Sequence, residues 1–415
     1  MSLPSGYKLL EYIESSGTQY INTGFKPNNN TRVVMDLLYT GSESISNEFG
    51  AWNSPNNASF ICLTTGKNNL YPFYGNTSKQ VSANRTVRHT VDMDKNVVKM
   101  NGTTMITFNQ MSFQCIYPMF LYCFNNVGET TNMTSMRIYF CQIYDNGTLI
   151  RDYIPCQTTA GEIGLWDDVN SVFYGNAGTG TFTAGPVLAI AANASEITKL
   201  EYIESSGTQY VDSGFIPNGE STVEIAFESA VIISATSGNY PVYGAASNYN
   251  SNAFELWSLA NGFCTYGSQT YKSGFGLSAN VKYVSKQAKN VLEINNQTLT
   301  FTKQTFSAPY SLLLFATHRD DRIAVSGSDA KLKIYFCKIY DNGTLIRDYI
   351  AAKLSDGTIG LYDKLHGLLY TNVGTGTFIA GPVVTSPSIF VNIDGIWKPI
   401  NHIYVNINNI WQKST

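Results

Sequence analysis

The sequence is poor in charge. Charged residues make up 14% of its 415 residues and the formal net charge is −3, whereas an average globular protein has roughly 25% charged residues. It contains no cluster of five lysines or arginines, so nucleic-acid binding, which needs a basic surface, has no support. It also lacks an apolar run of 18 residues, so we expect no membrane span. The first residues show no charged segment followed by an apolar one, and we expect no signal peptide.

Paired cysteines and clustered histidines are missing as well. The seven cysteines form no Cys-x-x-Cys pair and the four histidines are scattered. We therefore predict buried free thiols, a protein made in a reducing cytoplasm, and no zinc site. Long helices are not expected either, since no segment holds a 3.6-residue apolar period over twelve residues.

The sequence is rich in aromatic and small polar residues. Aromatics make up 13% of the chain, with 27 Tyr and 22 Phe, a composition typical of β-sheets joined by polar loops. Short strand-like runs are separated by Asn-Gly, Pro and Ser/Asn clusters, which predicts an antiparallel sandwich. These runs include Arg32–Leu38, Val97–Met100, Met119–Phe124, Val223–Phe227, Val291–Ile294 and Leu312–Ala316.

One segment occurs twice. Ile138–Ile154 recurs as Ile334–Ile350 with a single change, Gln142 to Lys338. Each segment holds an Asn-Gly pair between alternating apolar runs, a strong hairpin signal because both central residues of a type I′ turn need positive φ. A two-residue turn would place Gln142 opposite Arg151. In the second copy the same turn would place Lys338 opposite Arg347, an unfavourable like-charge pair. A three-residue loop with a bulge at the turn glycine would avoid that pair, so both registers stay open.

The duplication extends to whole domains. Leu10–Tyr20 recurs letter for letter as Leu200–Tyr210, and Gly178–Val187 recurs almost unchanged as Gly374–Val383. The middles of the copies differ, as expected if a common frame holds variable binding loops. The predicted division is copy one at 1–188, a small-residue linker at 189–198, copy two at 199–384 and a C-terminal module at 385–415.

The C-terminal module has its own repeat. Ile389–Trp397 and Ile403–Trp411 each predict a small β-hairpin. Such short strands cannot bury enough surface to stand alone, so the module either packs on copy two or docks to another chain. We favour docking. The large apolar residues expected to mediate assembly are Phe390, Trp397, Tyr404 and Trp411.

Several motifs resemble a known family. Leu10–Phe25 resembles the first strands of concanavalin A-like, laminin-G-type jelly rolls, and Ile143–Asp145 resembles their closing strand. Together with Asp145–Ile154 and Gly178–Phe182, the pattern is similar to a variant found in tail, fibre and surface structural proteins of tailed bacteriophages. Gly395–Lys398 resembles short repeats that end phage tail proteins. The resemblance implies an all-β chain of two tandem antiparallel jelly-roll sandwiches plus a small C-terminal β-hairpin module.

The same resemblance supplies no catalytic residue. Relatives of this fold that hydrolyse β-glucans carry Glu-x-Asp-x-x-Glu, because two carboxylates must flank one glycosidic bond. The nearest approach here, Glu43–Glu48, has Ile45 where the aspartate should be. No nucleophile signature of the Gly-x-Ser-x-Gly type occurs either. We therefore expect no enzymatic activity.

Aromatic residues in the variable loops are the candidate ligand-binding residues. Sugar rings stack on aromatic faces while Asn, Asp and Gln read the hydroxyls, and Tyr and Trp among small polar residues are typical of a binding surface. Each of these aromatics could equally cover core or a sheet edge. The candidates are Trp52, Tyr71, Tyr74, Tyr243, Tyr249, Trp257 and Tyr266.

No cofactor is expected. Some relatives hold calcium at the rim with Asp and carbonyl oxygens, and Asp145 and Asp341 lie beside turns. Turn chemistry already explains both aspartates, so no motif supports calcium.

The sequence thus predicts a non-enzymatic bacteriophage virion structural protein, in a tail, fibre or surface adhesin. Its lectin-like domains would bind a host-surface glycan or protein. The expected partners are that receptor, other virion proteins and further copies of the chain, a trimer being one option. The protein would lie on the particle exterior after assembly in the host cytoplasm. Two alternatives stay open: a purely structural capsid-decoration or fibre component, and a bacterial cell-surface carbohydrate-binding protein.

Overall fold

Short β-strands are the main elements of the described structure. A computed structural model describes residues 3–53, 58–66, 68–84, 86–232, 240–248, 251–260, 263–272, 275–320 and 322–384, together with four strands of the C-terminal module. Copy one contains β1 Lys8–Leu10, β2 Ile13–Ser16, β3 Ile21–Asn22, β4 Thr31–Tyr39, β5 Ile45–Asn53, β6 Ala58–Thr65, β7 Asn69–Leu70, β8 Phe73–Tyr74, β9 Thr77–Ser78, β10 Val81–Ser82, β11 His89–Asp94, β12 Val97–Met100, β13 Thr103–Thr107, β14 Phe120–Leu121, β15 Phe124–Asn126, β16 Glu129–Thr131, β17 Ser135–Asp145, β18 Thr148–Gln157, β19 Ile163–Asp167, β20 Val172–Tyr174, β21 Thr183–Ala184 and β22 Val187–Ala191.

Copy two repeats this order after a 3-10 turn at Ala194–Glu196. A second 3-10 turn lies at Ser328–Ala330, and the described residues contain no α-helix, hence no helix that could cross a membrane. The strands are β23 Thr198–Lys199, β24 Ile203–Glu204, β25 Val211–Asp212, β26 Thr222–Glu228, β27 Pro241–Ala246, β28 Ala253–Trp257, β29 Phe263–Gly267, β30 Gln269–Lys272, β31 Tyr283–Ala288, β32 Val291–Ile294, β33 Gln297–Thr300, β34 Leu313–Leu314, β35 Ala316–Arg319, β36 Arg322–Val325, β37 Lys333–Asp341, β38 Thr344–Lys353, β39 Ile359–Asp363, β40 Leu368–Tyr370 and β41 Ile379–Ala380.

Each copy is a sandwich of two layers. The first sheet of copy one contains β1, β2, β4, β11–β13 and β17–β22, and its second sheet contains β3, β5–β10 and β14–β16. Copy two divides in the same way, with β25, β27–β30 and β34–β36 in its second sheet. Alternate residues point into the space between the layers, as Val33, Met35 and Leu37 of β4 do, each fully buried. The all-β, tandem antiparallel jelly-roll prediction is confirmed.

The C-terminal module forms two hairpins. Strands β42 Ile389–Ile393 and β43 Ile396–Ile400 pair antiparallel, as do β44 Tyr404–Ile407 and β45 Ile410–Lys413. Ile393 faces Ile396 and Ile407 faces Ile410 in the strand register, which confirms the predicted miniature hairpins.

The duplicated hairpin has a two-residue turn and a bulge that the sequence did not place. Asn146 and Gly147 have φ of 54° and 83°, as a type I′ turn requires. The register then shifts between Ile143 and Tyr144, which moves Gln142 opposite Asp152 rather than Arg151. Lys338 accordingly faces Asp348. The like-charge pairing was wrong, because a bulge inside the strand corrects the register.

Two expected strands are each interrupted by a left-handed residue. Met119–Phe124 breaks at Tyr122, with φ of 71°, and Leu312–Ala316 breaks at Phe315, with φ of 66°. Both side chains are buried, and the Tyr122 hydroxyl donates to the Ile13 carbonyl at 2.9 Å. Burial thus holds a backbone conformation that a bulky side chain rarely adopts.

A strand links the first sheets of the two copies. Strand β22 pairs with β1 of copy one and also with β40 of copy two, where Ala189 faces Tyr370 and Ala191 faces Leu368. Part of the linker predicted at 189–198 is therefore extended and paired on both edges. The domain boundaries themselves stay a prediction.

All seven cysteines are free and buried, which confirms that prediction. The pKa of each thiol is raised by burial, so they act as small apolar residues.

Candidate binding face on the second sheets

The second sheets of the two copies share one frame. Phe49 of β5 stacks on Phe60 of β6 with ring centroids 6.1 Å apart. In copy two, Tyr243 of β27 stacks on Phe254 of β28 at the same 6.1 Å. These four rings face the core, so the residues that follow Phe60 and Phe254 face outward.

On copy one the outward side of this sheet is apolar. Ile61 lies between Gly50 of β5 and Phe73 of β8 in the strand register. A β-carbon on Gly50 would come within 2.8 Å of Ile61, so glycine is needed there for close packing. We call this group the copy-one aromatic cluster; its members are Trp52, Ile61, Leu63, Tyr71, Phe73 and Phe124.

The cluster is buried at its centre and partly exposed at its edge. Ile61, Leu63 and Phe124 are buried, whereas Trp52, Tyr71 and Phe73 keep part of their surface. Tyr71 and Phe73 meet edge to face with centroids 4.9 Å apart. The Tyr71 hydroxyl accepts a hydrogen bond from the Ser78 hydroxyl at 3.1 Å. A partly exposed group of aromatic rings that also carries a hydroxyl can stack on a sugar ring or receive a protein side chain.

On copy two the same positions carry a charge network. Glu255 takes the place of Ile61, since it lies next to Gly244 as Ile61 lies next to Gly50. Thr265 faces it across the strand and donates to its Oε2 at 2.9 Å. Thr317 donates to Oε1 at 2.5 Å, and Arg319 donates a charge-assisted bond to Oε2.

This network is removed from water. The Glu255 side chain is fully buried and that of Arg319 is 8% exposed. The Arg319 guanidinium also lies 5.2 Å from the centre of the Trp257 ring, within the range of a cation–π interaction. A buried carboxylate is tolerated because three donors satisfy it.

Four predicted binding residues are corrected to core residues. Tyr74, Tyr243 and Tyr266 are at most 2% exposed and Trp257 is 6% exposed, so none of them lies on a binding surface. The tyrosines orient their hydroxyls toward internal acceptors: Tyr74 donates to Asn29 O at 3.0 Å, Tyr243 to Gln287 Oε1 at 2.8 Å, and Tyr266 to Gly219 O at 2.8 Å. Burial raises the pKa of all three hydroxyls.

The remaining candidates divide into two groups. Trp52 and Tyr71 are brought together in the copy-one aromatic cluster. Tyr249 lies outside the described residues. The candidate assembly residues Phe390, Trp397, Tyr404 and Trp411 lie on the C-terminal strands, and their side chains are outside the part that the structure describes.

The aspartates considered for calcium stabilise turns. Asn28 donates to Asp145 at 2.9 Å, and Asn218 donates to Asp341 at 3.0 Å. Within the described ranges no three His, Cys, Asp or Glu side chains come together as a metal site would require. That the chain works without a cofactor stays an expectation.

Strand parity was the signal that the sequence reasoning missed. Side chains alternate across a strand, so Tyr71 and Phe73 share a face while Tyr74 points the other way. Aligning Phe49-Gly50-Ala51 with Tyr243-Gly244-Ala245 makes Gly50 equivalent to Gly244. Because Ile61 faces Gly50 and Glu255 faces Gly244 on the next strand, Ile61 and Glu255 are then equivalent. The partners of Glu255, which come from two other strands, have no such signal.

The chain was compared with known proteins. No family model and no curated protein matches it. Among solved structures, it is similar to domains LG4–5 of the mouse laminin alpha1 chain, at 12% identity and a TM-score of 0.28, covering 83% of this chain and 93% of that one. The LG1–3 region of laminin alpha2 gives 9% identity and a TM-score of 0.25, covering 83% of this chain and 63% of that one. NanB sialidase from Streptococcus pneumoniae gives 9% identity and a TM-score of 0.25, covering 95% of this chain and 81% of that one.

These similarities concern the fold alone. Laminin G domains have the concanavalin A-like jelly-roll fold. The expectation that the chain is not an enzyme is wrong as an inference from its fold, because sialidases are among the structural neighbours. At about 9–10% identity and a TM-score near 0.25 they assign no activity to this chain, and we no longer exclude one.

Proposed function

We propose that the chain is a structural protein of a bacteriophage particle whose tandem jelly rolls bind a host-surface glycan or protein. The copy-one aromatic cluster carries the proposal. It places Trp52, Tyr71 and Phe73, each partly exposed, on the outward side of a sheet. Large aromatic groups of this kind supply most of the contact area in sugar and protein recognition.

The virion setting is supported by sequence motifs. The segments Asp145–Ile154 and Gly178–Phe182, present in both copies, resemble those of phage tail and fibre proteins. The chain would lie on the particle exterior, in contact with other virion proteins and with further copies of itself. The C-terminal hairpins would attach it to the particle.

The binding role is tested on a glycan array and on host cells. Trp52→Ala and Tyr71→Ala should each weaken retention at least about tenfold, because losing an aromatic contact of about 1.4 kcal/mol is a tenfold change. Tyr12→Ala is the matched control, because Tyr12 meets Tyr139 edge to face with ring centroids 5.4 Å apart and is not a member of the copy-one aromatic cluster. Equal retention by the three variants would contradict the proposal.

The assembly role needs a separate test. Deleting 388–415 should leave both jelly rolls folded while abolishing incorporation into particles. Unfolding of copy two on deletion would show instead that the module belongs to its core.

A further inference from the structure

Copy one contains a polar cavity that is separate from the copy-one aromatic cluster. Its volume is about 340 Å³, at the lower end of the range of ligand pockets. It lies where the loop before β4 meets the turn between β11 and β12 and the segment after β13. Four amide side chains and a lysine belong to its lining: Asn29, Asn30, Lys95, Asn96 and Gln110.

Copy two has the same backbone frame at this place. The alignment of the two copies runs without a gap to Thr31 and Ser221. Lys95 and Lys289 each have φ of 53°, and their N–H groups donate at 2.9 Å to Thr31 O and Ser221 O respectively. The two lysines therefore leave equivalent points of the frame.

In copy two a carboxylate from the chain occupies this place. Glu220 is the counterpart of Asn30. Its Oε2 lies 2.7 Å from Lys289 Nζ and its Oε1 lies 2.9 Å from Lys303 Nζ. Hydrogen bonds from these two lysines lower the pKa of Glu220 to about 2. The frame thus holds a carboxylate against the lysine of the turn.

Copy one keeps this lysine but has no carboxylate beside it. Asn30 is uncharged, and Lys95 forms no ion pair with any residue that the structure describes. Asn30 Oδ1 accepts a hydrogen bond from Asn29 Nδ2 at 3.2 Å, which leaves Asn30 Nδ2 to donate. Asn96 Nδ2 donates to a backbone carbonyl at 2.7 Å, which leaves its Oδ1 to accept. Together with the amide of Gln110, these groups can bind the hydroxyls of a sugar.

We propose that this cavity binds a uronic acid, a sugar ring that carries a carboxylate, and that Lys95 pairs with that carboxylate. The ligand would supply the group that Glu220 supplies in copy two, while the amides bind its hydroxyls. The volume of the cavity suits a single ring. This inference deepens the proposed function, on which its biological meaning rests, by naming an acidic glycan as the ligand of copy one.

NMR titration of the full chain tests the ligand. Glucuronate and galacturonate are the probes, and glucose and galactose, which carry a hydroxymethyl group in place of the carboxylate, are their neutral counterparts. At least one uronate should bind at least about tenfold more tightly than its neutral counterpart, because the charge-assisted bond needs the carboxylate. Equal affinities or no uronate binding would overturn the proposal. Acetate binding as tight as that of the uronates would overturn it too, since only charge would then be recognised.

Substitutions locate the binding. Lys95→Gln removes the cation, and Asn30→Glu supplies the carboxylate from the chain itself, so each should weaken uronate binding at least about tenfold. Neither change should unfold copy one, since Lys95 is exposed and copy two has a glutamate at the position of Asn30. Asn30→Gln has the length of glutamate without its charge and should lose less than Asn30→Glu.

Lys289→Gln is the matched control, because it changes the equivalent lysine of copy two and should bind uronate as wild type does. Uronate binding that survives both Lys95→Gln and Asn30→Glu, or that is lost in Lys289→Gln, would refute the assigned cavity.

These outcomes are distinct from those of the host-cell test. Absence of uronate binding refutes the cavity site even if Trp52→Ala reduces retention on host cells. Uronate binding that depends on Lys95 supports the cavity site even if host cells retain no protein, a result that would contradict the proposed function alone.

Discussion

The buried ion pair of copy two gives the sharpest stability prediction. Replacing Glu255 with isoleucine, the residue that copy one has at this position, leaves the Arg319 guanidinium buried without its carboxylate. The Arg319 side chain is only 8% exposed, so water cannot readily compensate. Removing one partner of a buried pair costs about 3–5 kcal/mol. We expect the free energy of unfolding of copy two to fall by about that amount.

The reverse change separates charge from packing. Arg319→Met removes the cation and leaves the carboxylate of Glu255 buried with only the hydroxyls of Thr265 and Thr317, so a similar loss is expected. The double variant Glu255→Ile/Arg319→Met buries no charge and should lose only about 1–3 kcal/mol, the cost of leaving polar groups without partners. The coupling between the two positions should therefore be about 3 kcal/mol or more.

Hydrogen exchange of the full chain measures the effect where it occurs. Peptides covering β28 and β29 report local opening of copy two, and each single variant should speed their exchange by roughly 10²- to 4 × 10³-fold, which corresponds to the loss of about 3–5 kcal/mol. Peptides from β5 and β6 of copy one are the internal control. If the two single losses simply add in the double variant, the buried-pair reasoning is refuted.

Three other predictions rest on local features. Gly147→Ala and Gly343→Ala should each cost about 1 kcal/mol by urea denaturation, because both glycines have positive φ and open space around the added carbon; unchanged midpoints would argue against the type I′ turns. Alkylation with iodoacetamide at pH 8 should label none of the seven thiols until the chain is denatured, since burial raises their pKa values; rapid labelling of the native chain would disprove it. Burial, the largest single effect, opposes ionisation of Asp363, but hydrogen bonds from His366 and the Asp348 N–H and the nearby charges of His366 and Arg347 together lower its pKa from 3.8. This stabilisation is present above about pH 4 and is lost as pH falls through the lowered pKa. His366→Asn, which copies Asn170 of copy one, should make that acid dependence shallower in urea titrations; an unchanged profile would rule out the His366 contribution.

Much of the frame could be predicted from sequence because it rests on local signals. Asn-Gly pairs with alternating flanks located the hairpins, and β4 and β12 coincide closely with the runs Arg32–Leu38 and Val97–Met100. What failed depends on tertiary contacts. A bulge between Ile143 and Tyr144 reset the hairpin register, and burial forced a left-handed Tyr122 into an apparently continuous strand. Neither leaves a local mark in the sequence.

The candidate site was predicted less well for a related reason. Composition identified the right kind of residue, but aromatic side chains serve both core and surface, and only their direction separates the two. Trp52 and Tyr71 point outward, whereas Tyr74 and Tyr243 point inward. Glu255 went unnoticed because a lone glutamate in an apolar strand gains meaning only from partners on other strands.

The two outward faces differ in a way that single substitutions could not easily produce. A glutamate at the position of Ile61 would meet Phe73 and Phe124 and bury an unpaired charge, at a cost comparable to the stability of a whole domain. In copy two Thr265, Thr317 and Arg319 are all present to satisfy the carboxylate of Glu255. On copy one this side of the sheet carries partly exposed aromatic rings. On copy two it carries a buried ion pair whose Arg319 guanidinium lies 5.2 Å from the centre of the Trp257 ring. The two jelly rolls therefore share a frame but differ in the residues that cover the outer side of the second sheet.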